Sequence, residues 1–245
     1  MGIVQTLTSA GREIVSVLLP SPCVVCGGEL PVRARRGSCC EACWSALPRL
    51  VPPRCERCAL PWSTAQANGT FTCVDCIADP PPLDWIDAWG LYEGGLSELL
   101  QAFKFRGHDF LARHLGTLLL EALDARGDRE FDAIVPVPIH KSRHRTRGFN
   151  QAALLGAALT DASGIEMDER LLLKCEARAP QAGLAKAERR ANARGAYAAA
   201  AAVAGKRILL VDDIATTGET LRACALELSR RKARGVAALV VARTP

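Results

Sequence analysis

The segment ILLVDDIATTGETL, residues 208–221, constrains the fold of this chain more than any other stretch. It begins with four apolar residues, passes through Asp212 and Asp213, and continues into threonines grouped around a glycine, residues 215–220. Apolar residues then recur at the spacing of one helix face, at Leu221, Cys224, Ala225 and Leu228. A short buried strand followed by an amphipathic helix is the repeating unit of a parallel sheet. Because such sheets bind ligands at the carboxyl ends of their strands, the segment predicts an α/β fold with a ligand site here.

The residues of this segment also indicate the chemistry of the ligand. Backbone N–H groups, hydroxyls and a glycine at the start of a helix can surround a phosphate. Two adjacent carboxylates would repel that phosphate, unless they accept hydrogen bonds from sugar hydroxyls or bind Mg²⁺. A phosphorylated ribose satisfies both requirements. The alternative is that Asp212 or Asp213 only caps the helix while the threonines fill a turn, which is common for these residue types.

The full order of the segment resembles the 5-phosphoribosyl-1-pyrophosphate (PRPP) motif of type I phosphoribosyltransferases. The resemblance implies that Asp212 and Asp213 hold the ribose hydroxyls, with Mg²⁺ as cofactor. It implies a 5-phosphate site made by Ala215, Thr216, Thr217, Gly218, Glu219 and Thr220. In that family a nitrogen nucleophile displaces pyrophosphate from the anomeric carbon, a reaction that preorganised charge assists. Ala215 stands where a bulkier aliphatic residue is usual, which should affect packing more than chemistry.

A second group of candidate residues follows the apolar run 131–137, which ends in Pro-Val-Pro. Positive charge is concentrated just after it, at His140, Lys141, Arg143, His144, Arg145 and Arg147. In the phosphoribosyltransferase fold this is the position of the pyrophosphate loop, so the resemblance implies PRPP contacts from His140, Lys141, Arg143 and Arg147. It adds Lys141 to the acid pair as a catalytic residue. The alternatives are a solvated basic surface or a nucleic-acid contact, although the net charge of +5 does not by itself imply nucleic acid.

Nine of the eleven cysteines lie between Cys23 and Cys76, in a segment without sustained apolar periodicity. Eight of them form two successive sets of paired CxxC motifs: Cys23, Cys26, Cys40 and Cys43, then Cys55, Cys58, Cys73 and Cys76. This spacing lets both thiolates of a pair reach one tetrahedral ion, and it predicts one or two structural Zn²⁺ ions in place of a hydrophobic core. Disulfides are the alternative. Cys39 could replace Cys40 as a ligand, and the pairs could also interleave between the two sets.

The sequence predicts three regions. Residues 1–20 have the spacing of a short amphipathic helix, residues 21–80 form the cysteine-rich module, and residues 83–245 follow the Pro-rich boundary as an α/β domain with a doubly wound parallel sheet. The N-terminal helix lacks the pattern of an export signal, and no stretch reaches the roughly 20 apolar residues that cross a bilayer. A cytoplasmic protein with reduced thiols is therefore expected.

Within the α/β domain, strands are predicted near residues 85–92, 131–137, 171–173, 208–211 and 236–241. The alanine-rich stretch 177–204 is expected to be mostly loop. Asn150 is expected to cap a helix that ends at Gly164, and Gly235 is expected to end the last helix. Residues 85–95 are the candidate for the hood that covers the acceptor pocket in phosphoribosyltransferases.

A narrower resemblance comes from RGFNQ at residues 147–151, together with Phe103-Lys104, Pro-Val-Pro, Gln181-x-x-Leu184 and Arg189-x-x-Asn192. These motifs resemble the ComF family, which includes GntX-like proteins and joins a double zinc ribbon to a phosphoribosyltransferase domain. Members are linked to DNA uptake in natural competence. The resemblance implies two functions that differ in class: a phosphoribosyltransferase with an unknown acceptor, or a non-catalytic protein that binds PRPP or single-stranded DNA and assists the DNA-uptake machinery.

Overall fold

The computed structural model describes residues 22–30, 39–62, 71–105, 110–140, 148–175 and 195–245, so the predicted N-terminal helix lies outside the described residues. The described strands are β1 (Ile86–Leu91), β2 (Ala133–Pro136), β3 (Leu172–Lys174), β4 (Tyr197–Ala199), β5 (Arg207–Ala215) and β6 (Gly235–Arg243). The described α-helices are α1 (Glu41–Ser45), α2 (Val74–Ala78), α3 (Gly94–Phe105), α4 (Leu111–Arg126), α5 (Gln151–Ser163) and α6 (Glu219–Arg230).

Four of these strands form one parallel sheet in the order β1-β6-β5-β2. Successive residues of β5 point to opposite faces of the sheet. Leu209 and Val211 pack with α3, α4 and α5, whereas Ile208 and Leu210 pack with α6. Because both faces are covered by helices, β5 reads as a continuous apolar run. The predicted α/β fold with a doubly wound parallel sheet is confirmed.

Local signals placed the ends of α5 correctly. The Asn150 side chain accepts a hydrogen bond from the Ala152 N–H at 3.2 Å, and Gly164 ends the helix with a left-handed φ of 77°. Asparagine at the first cap and glycine at the last are the residues that these two positions favour.

Two expectations need correction. Gly235 does not end a helix: α6 ends at Arg230, and Gly235 opens β6, where a Cβ would lie 2.8 Å from Asp84 Oδ2. Glycine therefore allows the close approach of Asp84 at the amino end of β6 and does not cap a helix. Residues 85–95 do not form a hood, because they contain β1, which pairs with β6 in the central sheet. Of the stretch expected to be mostly loop, residues 177–194 lie outside the described residues, and residues 197–199 form β4, which pairs antiparallel with β3.

The chain between the two cysteine sets covers the free edge of the sheet. The Leu50 N–H donates to the Trp89 carbonyl at 3.0 Å, and the Leu91 N–H donates to the Pro48 carbonyl at 2.9 Å. A Cβ on Gly90 would lie only 2.5 Å from the Pro48 carbonyl oxygen, so glycine permits this approach. Pairing along β1 leaves the edge less open to association with other strands. Within the described residues, the helices are too short or too polar to cross a membrane.

Candidate functional site

A cavity of about 410 Å³ opens at the carboxyl ends of β2 and β5. Its wall includes both acids of the predicted pair and two hydroxyl residues of the loop that follows. The residues that line it include Lys104, Val137, Ile139, Asn150, Gln151, Lys174, Tyr197, Asp212, Asp213, Thr216 and Thr220. The strand connections meet here because all four sheet strands run in the same direction.

The paired acids lie near the end of β5 and differ in their surroundings. Asp213 is 5% exposed, and its Oδ2 lies 2.9 Å from Lys104 Nζ. Asp212 Oδ1 accepts a hydrogen bond from the Asp213 N–H at 2.9 Å. Burial raises the pKa of the Asp212 carboxyl well above its usual range, and the Asp213 carboxylate raises it further, while Lys104 opposes both effects. The two carboxyls thus lie in one site with the ammonium group of Lys104.

Lys104 is a site residue that the sequence did not single out. It lies in the last turn of α3, where its backbone carbonyl accepts a hydrogen bond from Gln151 Nε2 at 3.3 Å. Gln151 is 3% exposed and begins α5. This bond fixes the end of α3 against the start of α5 and directs the lysine to Asp213. The signal was present in the motifs Phe103-Lys104 and RGFNQ, but a local pattern does not show that these segments meet.

Residues 215–220, from the last residue of β5 to the first turn of α6, form the next wall and are named the phosphate loop. Gly218 precedes α6 with a left-handed φ of 77°, and Thr217 Oγ1 accepts a hydrogen bond from the Glu219 N–H at 3.4 Å. Thr216 and Thr220 line the cavity. A helix start with hydroxyls and backbone N–H donors is suited to an anion.

The predicted basic loop is described only in part. Lys141, Arg143, Arg145 and Arg147 lie outside the described residues, and His140 is the last residue described before them. The Val137 N–H donates to the Val211 carbonyl at 2.9 Å, which holds the start of this connection beside the acid pair. Asn150 Nδ2 donates to the Val137 carbonyl at 3.2 Å from the other end. Both ends of the basic connection therefore lie at the cavity.

The β3–β4 hairpin supplies a further wall. Lys174 Nζ lies 3.3 Å from Tyr197 Oη and 5.0 Å from the centre of its ring. Tyr197 is buried, and both side chains line the cavity. The alanine-rich sequence gave no indication of this wall, because a three-residue strand is defined by its partner more than by its own composition.

The two cysteine sets assemble as the spacing predicts. The Sγ atoms within each set lie within 4.8 Å of one another. The first cluster comprises Cys23, Cys26, Cys40 and Cys43, and the second cluster comprises Cys55, Cys58, Cys73 and Cys76. The pairs do not interleave, and Cys39 is buried outside the first cluster, with its Sγ 3.6 Å from the Cys40 carbonyl.

Distances between sulfur atoms fit a tetrahedral zinc ion. Tetrahedral geometry with Zn–S bonds of about 2.3 Å places sulfurs about 3.8 Å apart, and the Sγ separations are 3.9 Å for Cys26 and Cys40 and 3.7 Å for Cys58 and Cys73. These are far longer than a disulfide bond. Although burial opposes it, hydrogen bonds from backbone N–H groups lower the pKa of Cys23 to about 6, and they lower the pKa of Cys55 as well. Burial raises the pKa of Cys58 and of Cys76, so the fit of both clusters to structural zinc rests on their sulfur geometry.

Two domain families match separate parts of the chain. Residues 14–77 match the double zinc ribbon domain, and residues 163–245 match the phosphoribosyl transferase domain. The chain is 32% identical over 230 residues to the DNA utilization protein YhgH of Salmonella typhimurium, covering 92% of this chain and 98% of that protein. It is 32% identical to competence protein F of Haemophilus influenzae, covering 81% of this chain and 86% of that protein. It is 28% identical to competence protein ComFC of Bacillus subtilis, covering 84% of each. With both domain types in order and relatives matched along nearly their whole length, this chain belongs to the ComF family, in which a double zinc ribbon precedes a phosphoribosyltransferase domain.

Proposed function

We propose that this protein binds PRPP together with Mg²⁺ in the cavity at the carboxyl ends of β2 and β5, and transfers the phosphoribosyl group to an acceptor. The observation that carries the proposal is the meeting of Asp212, Asp213 and Lys104 in the same cavity as Thr216 and Thr220. Carboxylates suit the ribose hydroxyls, and the phosphate loop suits the 5-phosphate. Lys104 offsets part of the negative charge that the acids would present to an anionic ligand.

The acid pair also fits Mg²⁺, since carboxylate oxygens are its preferred protein ligands. When bound with PRPP, the ion would neutralise charge on the pyrophosphate leaving group. The chain's own residues would orient the ligand from both ends. We propose that Ala215, Thr217, Gly218 and Glu219 contribute backbone donors to the 5-phosphate. We assign the pyrophosphate to His140, Lys141, Arg143 and Arg147, because the ends of their connection lie beside the acid pair.

Calorimetric titration of the zinc-loaded protein with PRPP and Mg²⁺ tests recognition, and pyrophosphate release with candidate nitrogen acceptors tests transfer. Micromolar binding with acceptor-dependent release is expected. Binding without release for any acceptor would leave recognition standing and remove the transferase. Absence of PRPP binding would overturn the proposal as a whole.

A second function is favoured by the names of the relatives, which refer to competence and to DNA utilization. We propose that PRPP recognition serves a cytoplasmic step of DNA uptake, in which the basic connection contacts single-stranded DNA or the uptake machinery. Single-stranded DNA affinity should then fall steeply with salt, and it should fall in a variant lacking Arg143, Arg145 and Arg147. Salt-independent binding would contradict this role. We also propose that the chain divides into the three regions predicted from the sequence, residues 1–20, 21–80 and 83–245.

The variant Lys104→Met is expected to weaken PRPP binding about 10-fold, because Asp213 would lose the ammonium group that lies 2.9 Å from its Oδ2. Calorimetry at one salt concentration measures the change. Lys232→Met is the matched control, since Lys232 is exposed and lies outside the residues lining the cavity. Equal affinity of the Lys104→Met protein and the wild type would show that the ammonium does not contribute to the ligand site.

A further inference from the structure

Arg243, the last residue of β6, has an unusual environment for a charged side chain. It is 6% exposed, yet among the residues that the structure describes it forms no ion pair with a carboxylate. Its guanidinium donates to backbone carbonyls: Nη1 to Ala215 at 3.1 Å, to Thr216, and to Thr244 at 2.7 Å. Its Nε donates to the carbonyl of Cys58 at 3.1 Å. A buried cation usually needs compensating partners, and here they come from two separate functional elements.

These contacts determine how the phosphate loop is oriented. In a trans peptide, a carbonyl and the following N–H point in opposite directions. Because the carbonyls of Ala215 and Thr216 point at Arg243, the N–H groups of Thr216 and Thr217 point away from it. Thr216 itself lines the cavity. Arg243 thus fixes two successive donors and places a positive charge behind the loop that would receive an anion.

The same arginine ties this loop to the second cluster through Cys58. A second link lies beside it: Arg222, in the first part of α6, donates to Asp79 Oδ2 at 2.8 Å and to the Asp79 carbonyl at 3.2 Å. Asp79 caps α2, the helix that carries Cys76. The first cluster packs elsewhere: Cys23 and the partly buried Cys40 and Cys43 pack with the core formed by α3 and α4.

We propose that Arg243 is a positioning residue that couples the second cluster to the phosphate loop, so that metal binding by Cys55, Cys58, Cys73 and Cys76 shapes the 5-phosphate site. The inference rests on the proposed PRPP function and assigns the second zinc ribbon a role in ligand binding beyond stability. Release of the metal would let the backbone at Cys58 move and break the hydrogen bond from Arg243 to its carbonyl. The Arg243 side chain could then move, and the carbonyls of Ala215 and Thr216 could turn.

The test uses ribose 5-phosphate as the probe, because it carries the 5-phosphate without the pyrophosphate. Its affinity is measured by calorimetry for the full-length wild type, Arg243→Met, Cys58→Ser and the double variant. Each single variant should bind about 10-fold more weakly. The double variant should be no weaker than the weaker single variant, since both changes break one connection. Native mass spectrometry should find both zinc ions retained in Arg243→Met.

Arg207→Met is the matched control. Arg207 forms ion pairs with Asp128 at the opposite end of β5, so its loss should reduce stability while leaving ribose 5-phosphate affinity unchanged. Arg243→Lys keeps the charge without the planar fork and should fall between wild type and Arg243→Met. It also provides the test if the methionine variant loses zinc.

The outcomes separate the two proposals. Wild type that binds neither PRPP nor ribose 5-phosphate would overturn the proposed function and this inference with it. Wild type that binds while Arg243→Met binds equally would overturn the inference alone. If the affinity losses of the two single variants multiply in the double variant, Arg243 acts without coupling to the second cluster. The same conclusion follows if Arg207→Met loses as much ribose 5-phosphate affinity as Arg243→Met.

Discussion

Asparagine at position 212 is expected to remove most PRPP binding while making the free protein more stable. In the proposed site this carboxylate would accept hydrogen bonds from ribose hydroxyls, and charge-assisted hydrogen bonds contribute about 1.5–3 kcal/mol each. A loss of about 10- to 100-fold in affinity is expected for Asp212→Asn and for Asp213→Asn, with a larger loss when both are changed. Calorimetry measures the affinities, and differential scanning calorimetry measures the stability.

The stability effect follows from the pKa of Asp212, which burial and then the Asp213 carboxylate raise well above the usual range. The folded protein therefore holds this proton more tightly than the unfolded chain does. The contribution of Asp212 is stabilising below the carboxyl pKa of the unfolded chain, and it is lost as pH rises through the higher pKa of the folded state. Above the raised pKa, Asp212→Asn removes the charged form that the folded state disfavours, and a gain of about 1 kcal/mol would raise Tm by about 2–4 °C.

The same pKa gives ligand binding the opposite pH dependence. If the deprotonated carboxylate accepts the ribose hydroxyls as proposed, lowering the pH through the raised pKa of Asp212 should weaken PRPP binding before an ordinary carboxyl would titrate. This component should be absent in Asp212→Asn. The control is Asp132→Asn, since Asp132 is exposed at the amino end of the sheet. Wild-type affinity in Asp212→Asn, or a lower Tm, would contradict the assignment of this residue.

What the sequence predicted about the site depended on how far apart the interacting residues lie. The acids, the phosphate loop and the start of α6 are consecutive, so their order alone placed them at the end of one strand. The cysteine pairs could be predicted equally well, because the two-residue spacing of a CxxC motif lets both thiolates bind one metal ion. Asn150 and Gly164 marked the ends of α5 through local backbone preferences.

The residues that sequence reasoning missed are brought in by tertiary contacts. Lys104 reaches Asp213 only because Gln151 fixes the end of α3, and Arg243 reaches the phosphate loop only because β6 lies beside β5. Neither contact follows from periodicity. Gly235 shows the reverse difficulty: a glycine fits both a helix end and a closely packed strand, and only the position of Asp84 distinguishes them.

Zinc removal is expected to unfold the second ribbon, the part of the chain that carries Cys55, Cys58, Cys73 and Cys76, while the parallel sheet remains folded. The described core of this ribbon consists of three of its own cysteines, with Cys58, Leu60 and Phe71 packed against it, while Ala59 and Cys58 also pack with the core of the α/β domain. So little apolar surface cannot offset the entropy of ordering the chain. Zinc-finger peptides gain about 10–16 kcal/mol from the metal, which exceeds the stability of a typical small module. The first ribbon should be less sensitive, since Cys23, Leu30 and Leu47 belong to the core shared with α3 and α4.

Hydrogen exchange before and after chelation measures this difference. The amides of Cys55 and Ala59, which donate to the Leu60 and Cys55 carbonyls within the second ribbon, should lose protection first. Amides of β5 and β6 should stay protected, because both strands are buried and paired along their length. Unchanged protection of Cys55 in the zinc-free protein would show that the ribbon does not depend on metal.

Metal stoichiometry tests the two clusters separately. Native mass spectrometry should find two zinc ions in the wild type and one in Cys76→Ser, since each cluster has its own four ligands. Cys175→Ser is the control, because Cys175 belongs to neither cluster, and it should keep both ions. Loss of both ions from Cys76→Ser would mean that the clusters fold as one unit. In that case the covering of β1 by residues 48–50, which connect them, would be the first contact to examine.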